Sequence, residues 1–160
     1  MNRPAPVVRP MLAADLPAVG ELAGQLLRLH ETWDPPRFFS VDDPEAGYAR
    51  FFGSQLREAS TVLLVVEVES AIVGYCYGCV EGRDWNMLLD TAGHLHDVFV
   101  AESHRRSGLA ERLCRAAMDA LRAKGAAKFV AHIWIRNEAS RALVKRLGFR
   151  ETMVEVMASD

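Results

Sequence analysis

Apolar residues recur along this chain at two spacings, and the change from one to the other predicts its elements. Val7 and Val8 read as a short first strand, after which Leu16, Val19, Ala23 and Leu26 repeat at threes and fours. That is the stripe of an amphipathic helix, with Asp15 placed to cap it. Pro35 and Pro36 in the run 30–36 stop this helix and favour an extended loop. Asp42, Asp43 and Pro44 then offer the cap and first turn of a second helix reaching about Glu58. Thr61 to Glu67 and Ala71 to Val80 are β-rich runs joined by the short polar link Val68-Glu69-Ser70, the spacing of an antiparallel hairpin.

Glu81 to Thr91 has no period and mixes charges with Trp85, Met87, Leu88 and Leu89, so it reads as a connecting loop and a possible homodimer contact. His94 to Val100 is the next strand. From Gly108 a helix carries Leu109, Leu113, Ala117, Ala120 and Leu121 on one side and Glu111, Arg112, Arg115 and Arg122 on the other, with Gly125 placed to end it. Lys128 to Ile135 is almost continuously apolar, as in a strand covered on both faces. Asn137 can cap a last helix bearing Ala139, Leu143 and Leu147, which Gly148 ends, and Phe149 to Met157 reads as a closing strand. The order predicts a mixed α/β (α+β) fold in one domain over 1–160.

Half of the 160 residues are hydrophobic, enough for one layered core. The net charge of −2 and a pI near 6.2 argue against a nucleic-acid partner, which needs a positive field to displace counterions. No run approaches the roughly 20 apolar residues of a bilayer span, and Met1 to Pro10 lacks the apolar core of a signal peptide. The expectation is a cytoplasmic protein without a membrane partner. Cys76, Cys79 and Cys114 are then reduced thiols, and the pair Cys76/Cys79, three apart on a strand, points to opposite faces and reads as packing.

The chemistry concentrates where the strand Asp97-Val98-Phe99-Val100 passes through Ala101-Glu102-Ser103-His104-Arg105-Arg106-Ser107 into the helix at Gly108-Leu109-Ala110. A helix start leaves N–H groups unpaired and concentrates the positive end of the peptide dipoles, glycine permits close approach of a phosphate, and two arginines add permanent charge. This is an anion site. No G-x-x-x-x-G-K-[ST] or G-x-G-x-x-G occurs, which weighs against a nucleotide-binding module.

Arg105-x-x-Gly108-x-Ala110 resembles the cofactor motif of the GNAT N-acetyltransferase superfamily, Arg or Gln, two residues, Gly, one residue, Gly or Ala. The resemblance extends upstream through the 97–100 strand and downstream from Asn137 to Leu147-Gly148-Phe149. It implies a mostly antiparallel central sheet with helices on both faces and splayed central strands, and acetyl-CoA as cosubstrate. By the same resemblance Val98, Phe99 and Val100 line the pantetheine arm, Arg105, Arg106, Ser107, Gly108, Leu109 and Ala110 wrap the pyrophosphate, and Asn137 contacts the arm where the fourth and fifth strands part. Acetyl would pass to a primary amine by direct attack on the thioester. The alternative is a non-catalytic acyl-CoA-binding regulatory module.

An attacking amine must first lose a proton. His94 is the favoured base, eleven residues before Arg105 where some relatives place a glutamate, with His96 and Asp97 beside it. Many relatives have a tyrosine seven residues after the asparagine to protonate the leaving thiolate; here that position is Val144. No metal is expected, because His94 and His96 alternate onto one face without a nearby third ligand. Glu31, Asp34, Asp42, Asp43 and Glu45, with Trp33, Phe38 and Phe39, suggest an acidic wall for a cationic acceptor. Polyamine, aminoglycoside, amino acid and protein amine all stay open.

Overall fold

The computed structural model describes residues 5–159; residues 1–4 and 160 of the expected domain lie outside that range. Its five strands are β1 (Val7–Pro10), β2 (Thr61–Val68), β3 (Ala71–Glu81), β4 (Ala92–Val100) and β5 (Phe129–Ala131). They lie in sequence order in one sheet, antiparallel except for the parallel pair β4·β5. Helices α1 (Leu16–Trp33) and α2 (Pro44–Gln55) cover one face around Val19, Phe52, Val65, Tyr75 and Phe99. Helix α3 (Leu109–Ala123), with Leu143 of α4 (Glu138–Arg146), covers the other around Val66, Cys76, Leu95, Leu113 and Leu121. The mixed sheet with helices on both faces is the architecture the sequence implied.

Local chemistry explains most boundaries. Asp43 caps α2 by accepting from Ala46 N–H at 3.0 Å, and Asn137 caps α4 by accepting from Ser140 N–H at 3.1 Å. Glu69 and Ser70 both hold positive φ, the two-residue turn whose twist suits a hairpin. Asp15 stands at the N-cap position of α1 without capping it. Its carboxylate turns back to Leu12 N–H at 2.8 Å and to Arg9 at 2.7 Å, while Arg9 also holds Glu67. That network ties β1, β2 and the start of α1 together.

Three expectations need correction. Helix α1 continues through His30 to Trp33 and stops only at Asp34, the residue before Pro35, where the proline ring disfavours helical backbone. Strand β5 ends at Ala131 and is only half-buried, because 132–135 leave the sheet and Trp134 stacks on Trp33 of α1, centroids 4.9 Å apart and rings within 3° of parallel. Phe149 to Met157 forms no strand: β5 offers three residues, and ion pairs Arg141–Glu151 and Arg37–Glu155 hold the tail with Met153, Val154 and Val156 exposed. Among the described residues no helix is long and apolar enough to cross a membrane.

Candidate functional site

Strand β4 pairs with β3 from Ala92 to Val100 but with β5 only from Gly93 to Leu95. From His96 onward its other edge is released, and a strand edge without a neighbour exposes N–H and C=O groups to any extended, amide-bearing chain that can stand in for one. The splay opens a cleft of about 270 Å³. Its walls are Leu26, Leu27 and His30 of α1, Phe38, Phe39 and Tyr48, the β4 stretch His96-Asp97-Val98, the departing segment His132-Ile133-Trp134, and Asn137 with Ser140.

The same edge runs into the turn expected to hold an anion. After Val100 a single 3₁₀ turn, Glu102–His104, leads to Arg106 at φ +58° and Gly108 at φ +79°, so two left-handed residues bend the chain around the start of α3. Glycine leaves the helix uncapped by any side chain. The first helical bond runs from Arg112 N–H to Gly108 C=O at 3.1 Å, and Leu109, buried in the core, anchors the turn. Arg105 donates from Nε to Val100 C=O at 3.0 Å and lies 5.2 Å over the Phe99 ring, so part of it braces the turn. Ser107 donates to His104 C=O. Arg106, Ser107 and Gly108 are exposed and Ala110 is half-buried beside them.

A bulge shapes the titratable groups beside the cleft. Tyr77 pairs with Asp97 and Gly78 with Leu95, leaving His96 without a partner on β3. At Gly78 a Cβ would stand 2.6 Å from His94 O, so the strands close there only around glycine. Leu95 joins the α3-side core, while His96 and Asp97 both line the cleft on the α1 side. Burial raises the Asp97 pKa, with His96 and His30 pulling the other way, and Tyr75 OH donates to it at 3.5 Å. His96 Nε2 meets Glu81 Oε1 at 2.7 Å, and its ring lies between those of Tyr77 and His94. Burial opposes the charged carboxylate of Glu81, but hydrogen bonds from Cys79 and His96 outweigh it and hold its pKa below normal. Burial pushes the Cys79 thiol up to about 11.

The structure therefore gathers Asp97, Val98 and Asn137 at one cleft and sets Phe99 and Val100 on the strand leading from it to the turn 105–110. His94 is 8% exposed and does not line the cleft; burial lowers its pKa. Its Nε2 is 3.6 Å from Glu81. The acidic wall is not assembled: Asp43 caps α2, Glu45 pairs with Arg28, and none of Glu31, Asp34, Asp42, Asp43 or Glu45 lines the cleft. Sequence reasoning missed His30, His132 and Trp134. His30 continues the buried α1 stripe four residues after Leu26, a spacing that could have found it. Its Nδ1 meets Leu26 C=O at 2.8 Å; a carbonyl only accepts, so Nδ1 donates, and in the neutral tautomer this leaves the lone pair on Nε2.

Comparison with known proteins agrees with this fold. The profile of the Acetyltransferase (GNAT) family matches residues 26–149. An N-alpha-acetyltransferase of Sulfurisphaera tokodaii is 30% identical over 109 residues, covering 65% of this chain and 65% of that relative. An L-methionine sulfoximine/L-methionine sulfone acetyltransferase of Pseudomonas aeruginosa is 32% identical over 101 residues, 62% of this chain and 56% of the relative. The chain thus spans less than two thirds of the length of these curated relatives. Among solved structures, an aminoglycoside 6'-N-acetyltransferase of Acinetobacter haemolyticus superposes with a TM-score of 0.75 at 22% identity over 96% of this chain and 97% of its own. The aminoglycoside N-acetyltransferase AAC(6')-Iy in complex with CoA superposes with a TM-score of 0.79 at 18% identity, over 98% and 95%. At these identities the superpositions speak for the fold.

Proposed function

The chain belongs to the acetyltransferase (GNAT) family, and from that premise we propose that it moves the acetyl group of acetyl-CoA onto a primary amine held in the cleft between α1 and α4. One observation carries the reading: the β4 edge released at His96 leads through a single 3₁₀ turn to the open helix start at Gly108. The pantetheine arm lies along Val98, Phe99 and Val100 as a substitute strand. Its pyrophosphate meets the N–H groups and cations of Arg105, Arg106, Ser107, Gly108, Leu109 and Ala110. Asn137, whose side-chain oxygen accepts from Ser140 N–H, presents its amide NH₂ to the arm.

The amine arrives as an ammonium, drawn by Asp97. In place of His94, which stands off the cleft wall, His30 takes the proton on Nε2, the nitrogen its helix bond leaves bare. The neutral nitrogen attacks the thioester carbon, a β4 backbone N–H at Val98 or Val100 stabilises the oxyanion, and the C–S bond breaks. With Val144 in place of a tyrosine, coenzyme A leaves as a thiolate, tolerable at a reference thiol pKa near 8.5, and the second amine proton passes to solvent as the amide forms. The lining carries one carboxylate, no lysine or arginine, and several aromatic rings. Such a cleft suits a monoamine with an aromatic or apolar body better than a polycation. Exposed Trp85 and Leu88, 77% and 87% accessible, are the face we assign to a second copy.

Acetyl-CoA offered with arylalkyl monoamines, amino acids, peptides and aminoglycosides, read by release of free thiol, tests this. The expected order of kcat/KM places the arylalkyl monoamines first. Faster turnover of aminoglycosides overturns the acceptor class, and coenzyme A binding without turnover of any amine returns the acyl-CoA-binding module.

A further inference from the structure

Cys79, Glu81 and His96 meet on the sheet in a way that acetyl transfer does not require. β3 sets Cys79 and Glu81 two positions apart and so on one face, and the β4 bulge turns His96 toward them. Cys79 Sγ lies 3.4 Å from Glu81 Oε1 and 3.5 Å from His96 Nε2. Among the described residues these three side chains bring one ligand atom each within 4.8 Å of one another. The absence of a third ligand, which argued against a metal, is a property of β4 alone; β3 supplies two.

We propose that this triad binds one zinc-class divalent cation through Cys79 Sγ, Glu81 Oε1 and His96 Nε2, with water in the fourth position. Tetrahedral zinc with bonds of about 2.3 Å to sulfur and about 2.0–2.1 Å to nitrogen and oxygen sets donor separations of about 3.5 Å from sulfur and about 3.3 Å between nitrogen and oxygen. Both sulfur distances already have that length. Only the 2.7 Å contact of His96 with Glu81 must open, by about 0.6 Å, as a hydrogen bond gives way to coordination. The thiol proton passes to solvent as the cation enters, and the neutral His96 ring ligates through Nε2 with its remaining proton on Nδ1. Thiolate, imidazole and carboxylate together favour zinc over magnesium or calcium, which take oxygen ligands. Stacking of His96 on Tyr77 and His94 fixes its ring, and His94 Nε2 lies 3.6 Å from the other carboxylate oxygen, Glu81 Oε2. Glu81 and His96 keep 43% and 33% of their side-chain surface exposed, which leaves the cation an entry path.

The full chain, freed of metal by chelation, is titrated with Co²⁺ and then with Zn²⁺. One equivalent of Co²⁺ gives the visible bands of a tetrahedral site and a thiolate-to-cobalt charge-transfer band, and Zn²⁺ displaces both. Cys79→Ser abolishes the charge-transfer band. Cys79→Ser and His96→Ala each lower zinc affinity by more than roughly 100-fold, beyond the 10–100-fold cost of losing an outer partner of a ligand. A wild-type chain without the charge-transfer band, or a band that survives in Cys79→Ser, overturns the proposal. Should Cys79→Ser fail to fold by circular dichroism, Glu81→Gln decides: full zinc affinity in that variant overturns it. Metal binding is the readout throughout, so the outcome is independent of the acetyl-transfer reading.

Discussion

Replacing Gly108 by alanine adds one methyl group at the point where strand, turn and helix meet, and the structure separates its two consequences. In the protein alone the methyl meets nothing, because no heavy atom lies within 4 Å of where a Cβ would stand. The remaining cost is that of holding an L residue at φ +79°, about 1–2 kcal/mol. For a chain of this size that lowers Tm by about 2–8 °C. The space the methyl takes is also the space a phosphate needs to reach the first N–H groups of α3, so coenzyme A affinity falls by more than about tenfold, roughly 1.4 kcal/mol. Calorimetric titration with coenzyme A and thermal unfolding measure the two terms separately. Gly47→Ala in α2, also free of any contact at its Cβ, is the control: helix propensity makes it more stable by about 0.5–1 kcal/mol, with coenzyme A affinity unchanged. Wild-type coenzyme A affinity in Gly108→Ala, or an equal loss in Gly47→Ala, would refute the cradle.

Other predictions follow from the charges. Asp97→Asn removes the carboxylate that draws the ammonium and lowers kcat/KM for the amine by about 10–100-fold, the worth of a hydrogen bond to a charged group, with coenzyme A affinity unchanged in the same preparations. Arg106 makes no ion pair among the described residues, and in the proposed function it acts on the pyrophosphate at long range. Arg106→Ala therefore weakens coenzyme A binding more at 0.01 M salt, where the screening length is about 30 Å, than at 0.1 M, where it is about 10 Å; a salt-independent loss points to packing. The Asp15 pKa is lowered chiefly by its bond with Arg9, so the stability it adds is complete above the unfolded value near 3.8 and lost as pH falls through the lower folded value. Asp15→Asn accordingly lowers Tm at neutral pH by about 4–12 °C, for about 2–3 kcal/mol. The gap to wild type narrows below pH 3.8, and a gap constant from pH 7 to pH 2 contradicts the assignment.

How much could be read from the sequence depended on whether the cause was local. Leu109, Leu113, Ala117 and Leu121 announce the α3 stripe, and all four are buried. Gly108, Gly125 and Gly148, placed by their positions at helix ends, each take positive φ. Asp43 and Asn137 cap as their neighbours suggested, but Asp15 does not, because Arg9 on a strand six residues earlier outbids the helix for its carboxylate. The run 128–135 has the apolar content of a buried strand, yet its length in the sheet is set by Trp33, a hundred residues away in sequence and in stacking contact with Trp134. Cys79 likewise looked like packing because its partners Glu81 and His96 depend on a bulge that no spacing announces.

The two sides of the cleft are built differently, and this bears on which of them can vary. The β4 edge proposed for the cofactor is backed by β3 along its whole length, and Phe99, Val100 and Leu109 below it belong to the two cores. A substitution there disturbs packing and so threatens the fold together with the site. The opposite wall consists of the last turn of α1, the loop after it and the segment 132–134. Their joints are aromatic contacts, His30 with Trp33 and Phe38, and Trp33 with Trp134. Each such contact contributes about 0.5–1.5 kcal/mol beyond its buried area, small beside the cost of opening the sheet core. Side chains on this wall can therefore change size and charge while β4 and the start of α3 keep their geometry. In the proposed function the donor chemistry falls on the rigid half and acceptor choice on the adaptable one, so β4 and Gly108 support acetyl transfer and the cleft lining supports the class of amine.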